Sequence, residues 1–174
     1  MKKLNKLTID TIKQLSLALL VFGSRFIGLP ANMSPVGSFG FWNKNLFLYF
    51  ASIIAFDYFK GGFYQGFWFT YLGFLSYYLL GRITRNNLKR QLVFLPLASL
   101  LFFLISNFGV WYYWYPHSLA GLGRCYLLAL PFYRNTLIGD VLFGYSPMVL
   151  RSLNLIKTSL QVRKASDTKV LETI

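Results

Sequence analysis

The 174 residues include 18 Lys and Arg against 5 Asp and Glu, for a net charge of +13, yet 55% are hydrophobic, 20% aromatic and only 13% charged. So little polar surface cannot coat a water-soluble globule, and lipid must take up the remaining apolar side chains. Thirteen of the eighteen basic residues flank apolar runs instead of forming an RNA-module or DNA-motif patch, which argues against nucleic acid as a partner.

Lys2, Lys3, Lys6 and Lys13 precede the first apolar run, Leu15 to Leu29. Gly28, Leu29, Pro30 and Ala31 do not form a small-x-small cleavage site, so this run is expected to stay as a membrane helix and not to leave as a signal peptide. A short second run, Pro35 to Trp42, ends at Asn43, Lys44 and Asn45, and the third covers Leu46 to Phe59. The fourth and fifth, Phe63 to Gly81 and Leu92 to Trp111, each have roughly the 20 residues needed to cross about 30 Å of hydrocarbon. The sixth, Leu119 to Leu150, has 32 residues and holds Pro131 followed by Tyr133, Arg134 and Asn135, which predicts a broken or bent helix, or two half-spans.

Basic clusters set the orientation. Residues 1–14, the stretch Arg82, Arg85, Lys89, Arg90 and the tail with Arg151, Lys157, Arg163, Lys164 and Lys169 should all face the cytoplasm. An even number of crossings must then separate them, so Pro35 to Trp42 counts as a helix of its own, although about ten residues rise only about 15 Å. It must be buried in protein, tilted, or placed where the bilayer thins; a re-entrant segment would reverse the parity. The expected fold is an all-α integral membrane protein, a bundle of about six transmembrane helices with both termini cytoplasmic. Residues 1–153 form the helical domain and 154–174 a basic, polar cytoplasmic tail, whose Leu153, Ile156 and Leu160 could alternatively lie on anionic lipid.

Charged groups within a bilayer cost several kcal/mol unless they face a cavity or a partner. Arg25, Asp57, Asn107, Arg124, Arg134, Asn135 and Asp140 are therefore site candidates. On six spans, Arg25, Asn32, Asp57, Trp111 and His117 gather at the outer end, with Asn107 one turn inward of Trp111. Polar groups among aromatics are the usual makings of a small-molecule site. The candidate binding set is Arg25, Asn32, Asp57, Asn107, Trp111, His117, Arg134, Asn135 and Asp140. The plainer reading is that Arg25 neutralises Asp57, and Arg134 or Arg124 neutralises Asp140. Trp42, Trp68, Tyr112, Tyr113 and Trp114 read as interfacial anchors, and Gly62-x-x-x-Gly66 as a turn more than a helix contact.

Enzymatic chemistry lacks its parts. There is one histidine, no H-E-x-x-H, no nucleophile elbow and no P-loop, so no catalytic residue, cofactor or metal site is expected. Cys125, the single cysteine, excludes an intramolecular disulfide and reads as a small packing residue.

Several stretches carry a resemblance: Ser24-Arg25, Pro30-Ala-Asn32-Met-Ser-Pro35-Val-Gly37, Ala55-Phe-Asp57, Gly81-Arg82, Phe102-Phe-Leu-Ile-Ser-Asn107-Phe-Gly-Val-Trp111, Tyr115-Pro116, Gly121-Leu122 and Pro131-Phe-Tyr-Arg134-Asn135-Thr-Leu-Ile-Gly139-Asp140. Over about Gly23 to Gly144 they resemble a bacterial family of small membrane proteins known only as a domain of unknown function. That family is more distantly similar to the substrate-binding S components of energy-coupling factor (ECF) vitamin transporters. The resemblance implies six helices, cytoplasmic termini, and a loop, here Leu29 to Ser34, closing over an outward-facing pocket. It also implies ECF-type transmembrane and ATPase subunits as partners; many S components dock through Ala-x-x-x-Ala in the first helix, where Ser24 and Gly28 stand nearest here. The expected function is binding a vitamin or related metabolite from the outer side of the bacterial inner membrane for uptake. The alternative is a structural or assembly subunit of a membrane complex with no substrate of its own.

Overall fold

A computed structural model describes residues 2–150, 152–154, 158 and 161, with side chains from Ile9 onward. The described residues hold six α-helices, α1 (Lys2–Ser24), α2 (Val36–Trp42), α3 (Leu46–Phe59), α4 (Phe67–Thr84), α5 (Leu88–Trp114) and α6 (Leu119–Gly139), and no strand occurs among them. A π-helical turn, Asp140–Gly144, follows α6, and helix resumes over 145–150. Of the tail beyond 154 only 158 and 161 are described, and the expectation of Ile156 and Leu160 on lipid lies outside the described residues.

Helix boundaries follow local chemistry. Asn45 caps α3 by accepting from the Leu48 amide at 3.1 Å, and Asn87 caps α5 by accepting from Arg90 at 3.0 Å. The turn expected at Asn43–Asn45 is present, closed by Asn43 Oδ1 accepting from the Asn45 amide at 2.9 Å. α4 begins at Phe67, not Phe63, because Gly66 sits in the left-handed region at φ 82°, and Gly62 at φ 92° belongs to the same loop. α1 stops at Ser24, five residues before the predicted end, which leaves Arg25 just past the helix; Pro30 disfavours helix at Leu29. Among the described residues only α5 combines length and apolarity sufficient to cross a membrane: 27 residues, about 40 Å long, with a mean hydropathy of 2.1 across its most apolar window.

The sixth helix corrects the prediction. It runs unbroken through Pro131, and the irregularity falls instead at Asp140–Gly144. A proline forfeits one backbone bond while the flanking turns keep theirs, whereas a π-turn inserts one extra residue. Trp42 Nε1 donates to the Gly144 carbonyl at 2.9 Å, tying that turn to the end of α2.

α2 is the keystone of the packing. Six of its seven residues are buried, among α4, α5, α3 and the π-turn. Such burial explains how about 10 Å of helix holds its place. Gly81 on α4 makes room for it, since a Cβ there would run into the Phe41 carbonyl, and a Cβ on Gly37 would come within 2.5 Å of the Tyr77 ring. One core cluster joins Val36 and Phe39 to Ala18, Tyr49, Ile53 and Tyr78, and a second joins Phe41 to Tyr77, Leu95, Ala98 and Met148.

The two ends of the bundle differ in charge. At one end Arg82 donates to the Tyr78 hydroxyl at 2.9 Å, Tyr78 to the Lys44 carbonyl at 3.3 Å, and Arg85 to the Asn43 carbonyl at 3.0 Å. The α2–α3 and α4–α5 turns therefore lie together, with Lys89 and Arg90 in the first turn of α5. The opposite end carries the 25–34 segment and the α3–α4 loop.

Candidate functional site

A cavity of about 360 Å3 lies beneath the 25–34 segment, bounded by every helix but reached only by the end of α1. Its rim holds Arg25 and Asp57. Arg25 follows the C-terminus of α1, where a cation suits the helix dipole, and its Nη2 lies 3.6 Å from Asp57 Oδ1, with both side chains about four-fifths buried at 20% and 17% exposure. Asp57 stands in the last turn of α3 and also accepts from the Tyr71 hydroxyl at 2.8 Å. The guanidinium lies 3.5 Å above the Phe56 ring, and its Nη1 is buried without an acceptor.

Asp140 forms the floor. Its residue is 3% exposed, and three hydroxyls from three helices converge on it: Ser38 of α2 at 2.9 Å, Ser99 of α5 at 2.5 Å, and Tyr77 of α4. Thr136, four residues earlier and so on the same helical face, lines the cavity as well. Phe74 and Phe102 form the side wall, with ring centroids 4.7 Å apart.

The covering segment is fastened at several points. Asn135 Nδ2 donates to the Ala31 carbonyl at 3.0 Å. Asn32 takes a left-handed conformation, φ 64°, which asparagine tolerates better than most residues. A Cβ on Gly139 would lie 3.2 Å from the Ser34 amide, so this glycine lets the segment rest on α6.

Four of the nine predicted binding residues, Arg25, Asn32, Asp57 and Asp140, thus line one cavity, and Asn135 holds its cover. Asn107 does not join them. It lines a second cavity of about 300 Å3 with Asn32, Tyr115 and Cys125, and donates to the Phe103 carbonyl at 2.8 Å. Trp111 and His117 build the α5–α6 loop instead of the pocket: Trp111 Nε1 donates to the Pro116 carbonyl at 3.0 Å, while the His117 ring stacks on Tyr112 and contacts its carbonyl at 2.7 Å. Arg134 is exposed and lines neither cavity.

Of the two suggested ion pairs, Arg25–Asp57 forms and Arg134 or Arg124 with Asp140 does not. Six residues separate Arg134 from Asp140, which turns the two side chains about 120° apart on the helix, and Arg124 is about 24 Å of rise away. Among the described residues no three His, Cys, Asp or Glu side chains approach as a metal site requires.

Sequence reasoning missed the hydroxyls. Ser38, Ser99 and Tyr77 look like incidental members of apolar runs. A signal existed on α4, where Thr70, Tyr71, Phe74, Tyr77, Tyr78 and Gly81 recur at three- and four-residue steps and mark one inward face.

No curated protein and no solved structure matches the chain. A family model matches residues 5–163, nearly the whole length and every helix bounding the cavity. The chain belongs to that family, the family of unknown function DUF6580.

Proposed function

We propose that this chain is a multi-pass protein of the bacterial cytoplasmic membrane, akin in role to ECF S components, that binds a vitamin or related metabolite from the outer side for uptake. The observation that carries the proposal is the cavity of about 360 Å3, with Arg25, Asp57 and Asp140 set among aromatic rings. Ligand pockets usually measure about 300–1,000 Å3, with a few polar groups fixing orientation within apolar walls.

Support for the membrane comes from what stays uncovered. Only 28% of the most apolar window of α5 is buried, whereas the core helix of a soluble protein is mostly buried. Leu19 and Leu20 of α1 are each 70% exposed and Phe47 of α3 is 81% exposed, alongside apolar side chains on every other long helix. Water tolerates patches of that extent poorly. Lys44, Arg82, Arg85, Lys89 and Arg90 gather at one end, as a cytoplasmic face requires. Six spans with both termini inside accord with that end, and α2 needs no lipid contact because protein covers it. α1 packs mainly on α3 and leaves a long apolar face open, which suits contact with lipid or with an ECF-type transmembrane subunit.

Purified protein screened against vitamins and related metabolites should show thermal stabilisation by at least one, and Arg25→Gln or Asp57→Asn should weaken it. In a Cys125→Ser background, a membrane-impermeant maleimide should label His117→Cys in intact cells and leave Asn86→Cys unlabelled. Pull-down should recover a transmembrane subunit and an ATPase; recovery of other membrane proteins alone, with no ligand found, would favour the assembly-subunit alternative.

A further inference from the structure

The charges in the cavity do not cancel. Arg25 and Asp57 face each other at 3.6 Å, and Tyr71 completes that pair. Asp140 has no counter-charge: its partners are the hydroxyls of Ser38, Tyr77 and Ser99 and the backbone amide of Ser38, and no cationic side chain stands against it among the described residues. Hydroxyl donors orient a carboxylate but bring no positive charge to it. A carboxylate shut away from water without a cation is half of an ion pair, and costly to hold alone.

Its surroundings suit the missing half. Phe74 and Phe102 border the same space, and ring faces attract cations. At the rim, Nη1 of Arg25 is buried with no acceptor, a vacancy for an oxygen. Tyr71 marks the Arg25–Asp57 level and Tyr77 the Asp140 level, six residues apart on α4, or about 9 Å of rise.

We infer that the cavity takes a small organic cation, its protonated amine or cationic ring nitrogen seated on Asp140 beside Phe74 and Phe102, and an acceptor oxygen at its far end meeting Nη1 of Arg25. This inference rests on the reading of the cavity as a ligand site and adds the charge and polarity of what fills it. An acid of the same size meets an uncancelled negative charge at the floor, and a neutral molecule leaves it unpaired.

Charge-matched series test it on the full-length protein in detergent. Benzylamine, benzyl alcohol and benzoate form one series, tryptamine, indole-3-ethanol and indole-3-acetate a second, and 4-(aminomethyl)benzoate adds an acceptor to the first amine. At equal millimolar concentration, the amines should raise Tm by about 2–4 °C and their neutral and acidic counterparts should not. 4-(Aminomethyl)benzoate should exceed benzylamine, and Arg25→Gln should erase that difference. Asp140→Asn keeps the shape of the side chain and should lose the amine shift; if that variant does not fold, the charge order in the wild-type protein decides alone. Neutral or acidic members matching the amines would overturn the inference while leaving a ligand-binding cavity in place. An amine shift that persists in Asp140→Asn would overturn it too, and so would the absence of any shift, which the metabolite screen above separates from failure of the cavity reading.

Discussion

Substituting alanine for Gly81 tests the packing that places the cavity floor. A Cβ at this position on α4 meets the carbonyl oxygen, carbonyl carbon and Cα of Phe41, all backbone atoms of α2, so no side-chain rotation can relieve the overlap. α2 itself must move, and it carries Ser38, the donor to Asp140 Oδ1. Overpacking a well-packed core costs about 1–3 kcal/mol, and a backbone clash belongs at the upper end, near 3 kcal/mol. For a chain of this length that corresponds to about 6–12 °C in Tm. Gly123→Ala on α6 is the control, since nothing lies within 4 Å of its Cβ position, and there helix propensity should stabilise by about 0.5–1 kcal/mol. Thermal unfolding of both variants, followed by intrinsic fluorescence in one detergent, provides the comparison. If Gly81→Ala and Gly123→Ala unfold within a degree of each other, the claim that α2 is clamped against α4 is wrong.

Ser99→Ala removes one of the three donors to Asp140 and should cost about 1.5–3 kcal/mol, the range for a hydrogen bond to a charged group, in the same unfolding assay. For the rim, Asp57→Asn should destabilise more than the double variant Arg25→Met with Asp57→Asn, because the single change strands a largely buried guanidinium and the pair of changes does not; a double-mutant cycle with no coupling would refute this. Trp42→Phe leaves the Gly144 carbonyl without its side-chain donor and should cost about 1 kcal/mol, read as a loss of protection in hydrogen exchange around residues 140–144. Asn135→Ala frees the Ala31 carbonyl and should raise maleimide labelling of an Ala31→Cys variant without lowering Tm by more than about 4 °C.

The residues at the cavity rim were legible because isolated charges in apolar runs are conspicuous, and Arg25 and Asp57 do meet. The hydroxyls on Asp140 were not, since Ser38, Ser99 and Tyr77 lie 102, 41 and 63 residues from it along the chain, and serine and tyrosine are common in apolar helices. Arg134 lies outside both cavities for the converse reason: its charge is visible in the sequence, but its direction depends on how α6 is turned.

Composition and periodicity alone determined that the chain is helical and that the second helix is short, because those properties belong to each segment by itself. Which aspartate would find a cation and which would find only neutral donors depended on the rotation and depth of the helices against one another. Those are set by close approaches such as Gly81 on Phe41 and Gly139 on Ser34. Contacts of that kind join residues far apart in the chain, and their energies exist only once the helices are packed.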